Sequence, residues 1–233
     1  MNNKVLYQPW GGLGDNLQYS TLPELYHKLG YEFYISKDNV YRNDEIYDLV
    51  WGLNPYVKGI SDEPFNVGSC VGFSRVSPNE SIIYNQEICH GFEPQNRIPK
   101  IYYEPKNIIE FNDKIILDIS SVSTNPVVPK NLDDFIKINF PNKTVVIPKF
   151  KNKISDNHKI NRDIELYEYV EIDSIFHYTD IINSCHQFIC SFSGQSVLAS
   201  AINKKNTICF IPENYITNSY VFHNIKYFQV KNV

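Results

Sequence analysis

Two short stretches carry residues equipped to act on a substrate. Near the start, "PWGGLGDNLQ" sets Gly11, Gly12 and Gly14 directly before Asp15. Late in the chain, "FICSFSGQSVLASA" sets Gly194 between Ser193 and the pair Gln195, Ser196. The two favour opposite ligands. In the late stretch, a helix opening at Gln195 or Ser196 leaves the N–H groups of Gly194, Gln195 and Ser196 pointing outward. The hydroxyls of Ser193 and Ser196 join them, and such a terminus binds phosphate oxygens. A plain turn with a capping serine accounts for the same residues. In the early stretch, a carboxylate near a helix N-terminus gains from the dipole and is expected to stay ionised. Asp15 would repel a diphosphate, but it suits a neutral hydroxyl whose proton it can accept. A role for Asp15 as the N-cap of the first helix is compatible with that chemistry. The early loop is not a dinucleotide fingerprint, because a G-x-G-x-x-G read from Gly12 and Gly14 would need its third glycine at Leu17.

These loops need strands before them and helices after them. "KVLYQPW" (4–10), "YEFYIS" (31–36) and "SCVGF" (69–73) read as strands of the first half. The first helix is expected to open near Asp15 or Asn16, to kink or restart at Pro23, and to close at Gly30. "NDEIYDLVWGLNP" (43–55) reads as a short helix. In the second half "KIILDIS" (114–120), "TVVIPKF" (144–150), "YEYVEI" (167–172), "QFICSFS" (187–193) and "TICFIP" (207–212) are apolar runs of strand length. "NLDDFIKINF", "SIFHYTDIINSC" and "GQSVLASAINKK" between them read as helices. Apolar strands that alternate with helices indicate an α/β fold with parallel sheets covered on both faces. "NIKYFQV" (224–230) adds an edge strand. The proline-bearing segment 97–113 is the natural linker, which gives two halves, 1–107 and 108–233.

Composition narrows the partners. A net charge of -4 gives no footprint for nucleic acid. "MNNKVLYQPW" runs straight into a strand, so no signal peptide is expected, and no apolar run approaches the ~20 residues of a membrane span. A cytoplasmic protein is expected, with contact at the inner face of the membrane left open. Five cysteines and six histidines form no zinc-ligand spacing, so neither metal nor cofactor is expected. Small residues are scarce and clustered. Nine of ten glycines lie at or before Gly91, and both alanines, Ala199 and Ala201, fall within seven residues of Gly194. That clustering suggests that backbone there must approach something closely.

Three further features have rival readings. Glu171-x-Asp173 at a strand end is superficially a metal-binding acidic pair, or else a helix cap. His90 with Arg97 stands near an acceptor, or His90 is a surface-loop histidine. Trp10 beside the glycine loop stacks on a sugar face, or serves the core or a hinge.

"GGLGDNLQYSTLPEL" together with "FICSFSGQSVLASAI" resembles the heptosyltransferase family of glycosyltransferases, which has a G-x-L-G-D loop in its first domain and a D-S-G-x-x-H-L-A-A-A-like turn in its second. "IYDLVWGLNPYV" has the same flavour. The resemblance implies a GT-B fold, with two Rossmann-like domains facing a central cleft. The acceptor would bind the N-terminal domain and the nucleotide sugar the C-terminal one. Carried over by residue, Asp15 matches the catalytic base, in an acceptor loop with Trp10, Gly11, Gly12 and Gly14. Ser193, Gly194, Gln195 and Ser196 match the donor-phosphate turn. "SSVSTNPVVPK" matches a phosphate-contacting loop, with Ser121, Thr124 and Lys130 as contacts, and Glu171 and Asp173 would rim the nucleotide. The sequence departs from the pattern at Phe192, where the family has aspartate, and at Val197, where it has histidine. The implied activity is inverting, metal-independent transfer from a nucleotide-diphosphate sugar to a glycan or lipid-linked glycan, in surface-polysaccharide assembly or in phage or viral glycan modification. A non-catalytic nucleotide-sugar-binding scaffold of the same fold is the second expectation. A fucosyltransferase-like enzyme using a GDP-sugar is the third, because "GGLG" opens those too, although their H-x-R-R-x-D pattern is absent.

Overall fold

Val5 and Leu6 in Asn3–Leu6 (β1) and the β-formers Phe33 and Ile35 in Glu32–Ser36 (β2) are buried on pairing. The computed structural model describes residues 3–68, 80–121, 127–151, 167–213 and 221–231. The strand expected at 69–73 lies outside them. β1 pairs parallel to β2, and β2 pairs parallel to Val57–Ser61 (β3). Sequence reading did not find β3, whose Lys58, Gly59 and exposed Ile60 on an edge hide the pattern. Val67 bridges to Leu6 in parallel sense, so the chain beyond β3 returns to the free side of β1.

The first helical segment is two helices. α1 (Leu13–Leu17) has Gly12 as its N-cap and opens two to three residues earlier than expected. α2 (Leu22–Lys28) is a fresh start with Pro23 inside its first turn, where a missing N–H costs nothing, and it stops before Gly30. α3 (Glu45–Tyr47) runs on as a π-helical turn, Asp48–Gly52, which turns Trp51 fully inward. α4 (Ile82–Cys89) is capped by the Ser81 hydroxyl, which accepts the Tyr84 N–H.

The second sheet has six parallel strands: β4 (Ile115–Asp118), β5 (Val145–Phe150), β6 (Glu168–Ile172), β7 (Gln187–Ser191), β8 (Thr207–Pro212) and β9 (Lys226–Val230). Their spatial order is β6-β5-β4-β7-β8-β9, the doubly wound arrangement whose order reverses between β4 and β7. β9 is the edge strand expected from "NIKYFQV". One face buries Leu117, Ile147 and Phe210 with Leu132 and Ile136 of α5 (Leu132–Asn139), and Phe135 meets Phe210 edge-on. α6 (Ile175–Ser184) and α7 (Gly194–Ala201) pack on each other and on the sheet, burying Ile181, Ile182 and Leu198. The Lys204 ammonium, just past α7, donates to the carbonyls of Asn183 and Cys185 at the end of α6.

Contacts divide the chain into two units, Met1–Glu104 with Thr217–His223, and Pro105–Ile216 with Asn224–Val233. The seam falls inside the segment 97–113.

Candidate functional site

In the first unit the loop after β1 is held at every turn. The buried Gln8 side chain donates to the Asp15 carbonyl (2.9 Å) and accepts from the Trp10 N–H (2.7 Å). Gly11 sits at φ +63, and its carbonyl accepts the Arg42 N–H at 3.0 Å. A side chain at Gly11 would be strained by that angle and crowded by Val40 at 3.1 Å. Asn16 ties α1 down, since its amide donates to Gly12 O (2.9 Å) and its oxygen accepts Trp51 Nε1 (3.0 Å).

This architecture aims one carboxylate. Asp15 is the third residue of α1, so it is not the N-cap, and its Oδ2 reaches back to the Gly12 N–H at 3.2 Å. A methyl group on Gly12 would lie 2.5 Å from that oxygen and 3.5 Å from Arg42 Nη1. Gly12 is therefore required by Asp15 itself, before any substrate is considered. Burial pushes the Asp15 carboxyl above its ordinary value, while Arg42 and the Gly12 N–H pull it down. Desolvation is the largest influence on this carboxyl, because half-burial removes water that the short α1 does not replace. Trp10 is 53% exposed, which removes the core reading for its indole.

In the second unit the strands β4 and β7 flank the point of reversal, and the loops leaving them are laced together. Asp118, at the end of β4, is buried; its Oδ1 accepts the Ser120 N–H (3.0 Å) and hydroxyl (2.5 Å), and its Oδ2 accepts the Tyr178 hydroxyl from α6. Gln195 folds back from α7, donating to the carbonyls of Ser120 (2.7 Å) and Asp118 (3.4 Å) and accepting the Ser193 hydroxyl. Ser191 also donates to Ser120 O, at 3.1 Å.

That lacing revises the reading of the late turn. Ser196 spends both its N–H (3.1 Å) and its hydroxyl (2.8 Å) on the Ser193 carbonyl, so it is not an outward donor. The Gln195 side chain is equally committed to the protein. α7 begins at Gly194, which is not at positive φ, so the turn does not need a glycine for its conformation. What remains at the terminus are the amides of Gly194 and Gln195. In α4 and α6 a serine hydroxyl caps the first turn (Ser81 to Tyr84, Ser174 to His177 at 3.0 Å), whereas Ser193 turns its hydroxyl to Gln195 and leaves α7 uncapped.

The remaining candidates scatter. Ser121 is buried just past β4, Lys130 is exposed before α5, and Thr124 lies outside the described residues. Glu171 and Asp173 are exposed and meet Lys151 (3.6 and 2.5 Å), which holds Asp173 below the usual carboxylate range. Ser174, not Asp173, caps α6. His90 and Arg97 stand at opposite ends of α4. His90 ends that helix against Tyr26, mostly buried, which pushes its imidazole down and corrects the surface-loop reading. Arg97 forms a two-pronged pair with Glu80 and lies over the Tyr84 ring. Sequence reasoning missed Asp118, Tyr178 and Arg42. Asp118 had a signal, a lone carboxylate in an apolar strand run. Arg42 had none.

No family model and no curated protein matches the chain. Solved structures do. TibC, described as a bacterial iron-containing dodecameric glycosyltransferase from enterotoxigenic E. coli H10407, superposes with a TM-score of 0.66 at 13% identity, over 95% of this chain and 64% of TibC. The E. coli heptosyltransferase WaaC with ADP gives 0.57 at 8% identity, over 97% and 92% of the two chains. The glycosyl transferase family 9 structure from Veillonella parvula DSM 2008 gives 0.54 at 10%, over 99% and 86%. At these identities the likeness establishes the fold: parallel α/β sheets of the GT-B-like, heptosyltransferase-like kind. This chain spans under two thirds of TibC. Among the described residues no three His, Cys, Asp or Glu side chains come together in a group that could hold a metal ion. Among the same residues no helix is long and apolar enough to cross a membrane.

Proposed function

We propose that this chain is a glycosyltransferase that moves a sugar, with inversion and without an obligatory metal, from a nucleotide-diphosphate sugar to a hydroxyl of a glycan or lipid-linked glycan. The observation that carries the reading is the uncapped N-terminus of α7 beside the reversal of strand order, where doubly wound sheets take their ligands. The likeness to glycosyltransferase structures, one of them holding ADP, supports it. The proposed roles divide by unit. The amides of Gly194 and Gln195 receive the diphosphate, with Ser193, Ser121, Thr124 and Lys130 around it. Asp15 receives the acceptor's proton, beside Trp10.

The step balances as follows. The acceptor oxygen bonds to the anomeric carbon as its proton passes to the Asp15 carboxylate. The bond from that carbon to the phosphate oxygen breaks, and the nucleoside diphosphate leaves with the electron pair. Amides aimed at the growing charge lower the barrier, and one such donor is worth ~3 kcal/mol in other enzymes. Assembly of a surface polysaccharide, or modification of a phage or viral glycan, is the proposed setting.

A second reading has an observation of its own. The Asp15–Gly12 bond completes a capping arrangement, which is what a scaffold that binds nucleotide sugars without turning them over would keep. One experiment separates the two. Thermal shift against ADP, GDP, UDP and CDP and their sugars should show stabilisation by one of them, lost in Gly194→Val and kept in Asp15→Ala. Turnover should vanish in Asp15→Ala. Full activity in that variant removes the base; a nucleotide response with no turnover under any condition leaves the scaffold; no response to any nucleotide sinks both.

A further inference from the structure

The Asp15 carboxyl is half-buried on a helix of five residues, and a single N–H bond supports it. Burial raises its pKa and so favours the neutral form, which a nearby cation opposes. We propose that Arg42, on the loop after β2, is the positioning residue that keeps Asp15 in the charged form a proton acceptor needs. This rests on the reading of Asp15 as the base.

The geometry sets the two side by side. The Arg42 N–H donates to the Gly11 carbonyl at 3.0 Å, which fixes where the guanidinium starts. Its Nη1 and the Asp15 Oδ2 then flank one point, the position of a methyl on Gly12, at 3.5 and 2.5 Å. They stop short of an ion pair, so Asp15 keeps its capacity to take a proton. Among the described residues, the π turn after α3 bonds to α1 through Trp51 and Asn16, and α4 bonds to the residue just past α1 through Gln86 and Gln18. α3 and its π turn carry Glu45 and Asp48. On α4, Glu87 is committed to the amides of Gln95 and Asn96. The loop after β2 also carries Lys37, paired with Asp62, and Asp38. Among all of these, Arg42 is the charged group that acts on Asp15. Because any residue at 42 except proline keeps the N–H bond to Gly11, changing its side chain alters charge and leaves the turn in place.

The test needs no substrate. In the intact chain labelled with 13Cγ-aspartate, the Asp15 resonance is identified by its absence in Asp15→Asn and titrated. Arg42→Gln should raise its midpoint by about half a pH unit or more, roughly threefold in the acid constant. Arg42→Lys should restore most of the shift, and Lys37→Gln, which removes a charge on the same loop, should not reproduce it. A midpoint unchanged in Arg42→Gln, or moved equally by Lys37→Gln, overturns the inference. If the shift is found while Asp15→Asn still transfers sugar, the role of Arg42 in charging Asp15 stands and the proposed function falls.

Discussion

Asp15 is costly where it stands, and the cost has a sign. Its folded-state pKa is raised, so the folded protein holds this proton more tightly than the unfolded chain does. The stabilising contribution is complete below the unfolded value, near 3.8, and is lost as pH climbs through the folded value. At neutral pH the charged carboxylate therefore destabilises. Asp15→Asn keeps an oxygen for the Gly12 N–H and should melt roughly 1–2 °C higher at pH 7, with the gain vanishing near pH 4, while sugar transfer is lost. A melt at or below wild type at pH 7 would contradict this. Gly12→Ala tests aim instead of charge. The added methyl must displace the Oδ2 that lies 2.5 Å from it, and turnover should fall on the order of 100-fold, since a shift of about 1 Å in a reacting group costs that much. Nucleotide binding, measured by calorimetry, should stay within about twofold.

The turn between β7 and α7 works through what it withholds. Ser193 is in place to cap α7, as Ser81 and Ser174 cap their helices, and Gln195 diverts its hydroxyl. Gln195→Ala should have two separable effects. It removes one of the two donors to Ser120 O, the Ser191 hydroxyl keeping the other, at about 0.5–1.5 kcal/mol in urea unfolding. It also frees Ser193 to cap the helix, which should weaken nucleoside-diphosphate binding beyond what the lost stability explains. Restoration of binding in the double variant Gln195→Ala, Ser193→Ala would identify capping as the competitor; equal weakening in both would refute it. Asp118 and Tyr178 brace the other side of this turn, so the backbone proposed to receive the diphosphate is tied to β4 and α6.

Across the chain, the two units repeat one device: a parallel sheet whose first strand feeds the loop proposed to carry Asp15's role in the first, and whose fourth strand feeds the turn proposed to receive the diphosphate in the second. In both, the loop leaves the carboxyl end of a strand beside the place where the chain switches sides. A metal-independent mechanism predicts that millimolar EDTA leaves transfer unchanged in a protein purified free of added metal. A loss of activity restored by a divalent cation would reassign the leaving-group chemistry from amides to an ion.

Much of this was readable before any coordinates. Apolar, β-branched runs such as "KIILDIS" and "TICFIP" announce buried parallel strands, because a strand covered on both faces cannot alternate; Pro23 and Gly30 mark helix limits through backbone chemistry alone. Asp15 and the turn at Gly194 stood out through residue type, a carboxylate beside clustered glycines and a lone late glycine among serines. β3 did not, because an edge strand with Lys58 and Gly59 needs little apolar signal. What tertiary structure decided was the fate of each polar group. That Gln195 and Ser196 face inward, that Asp118 meets Tyr178 across 60 residues, and that Arg42 stands beside Asp15 are outcomes of long-range packing. Local sequence fixes which groups can bond, but burial by distant segments fixes which of them still have water or a substrate to bond to.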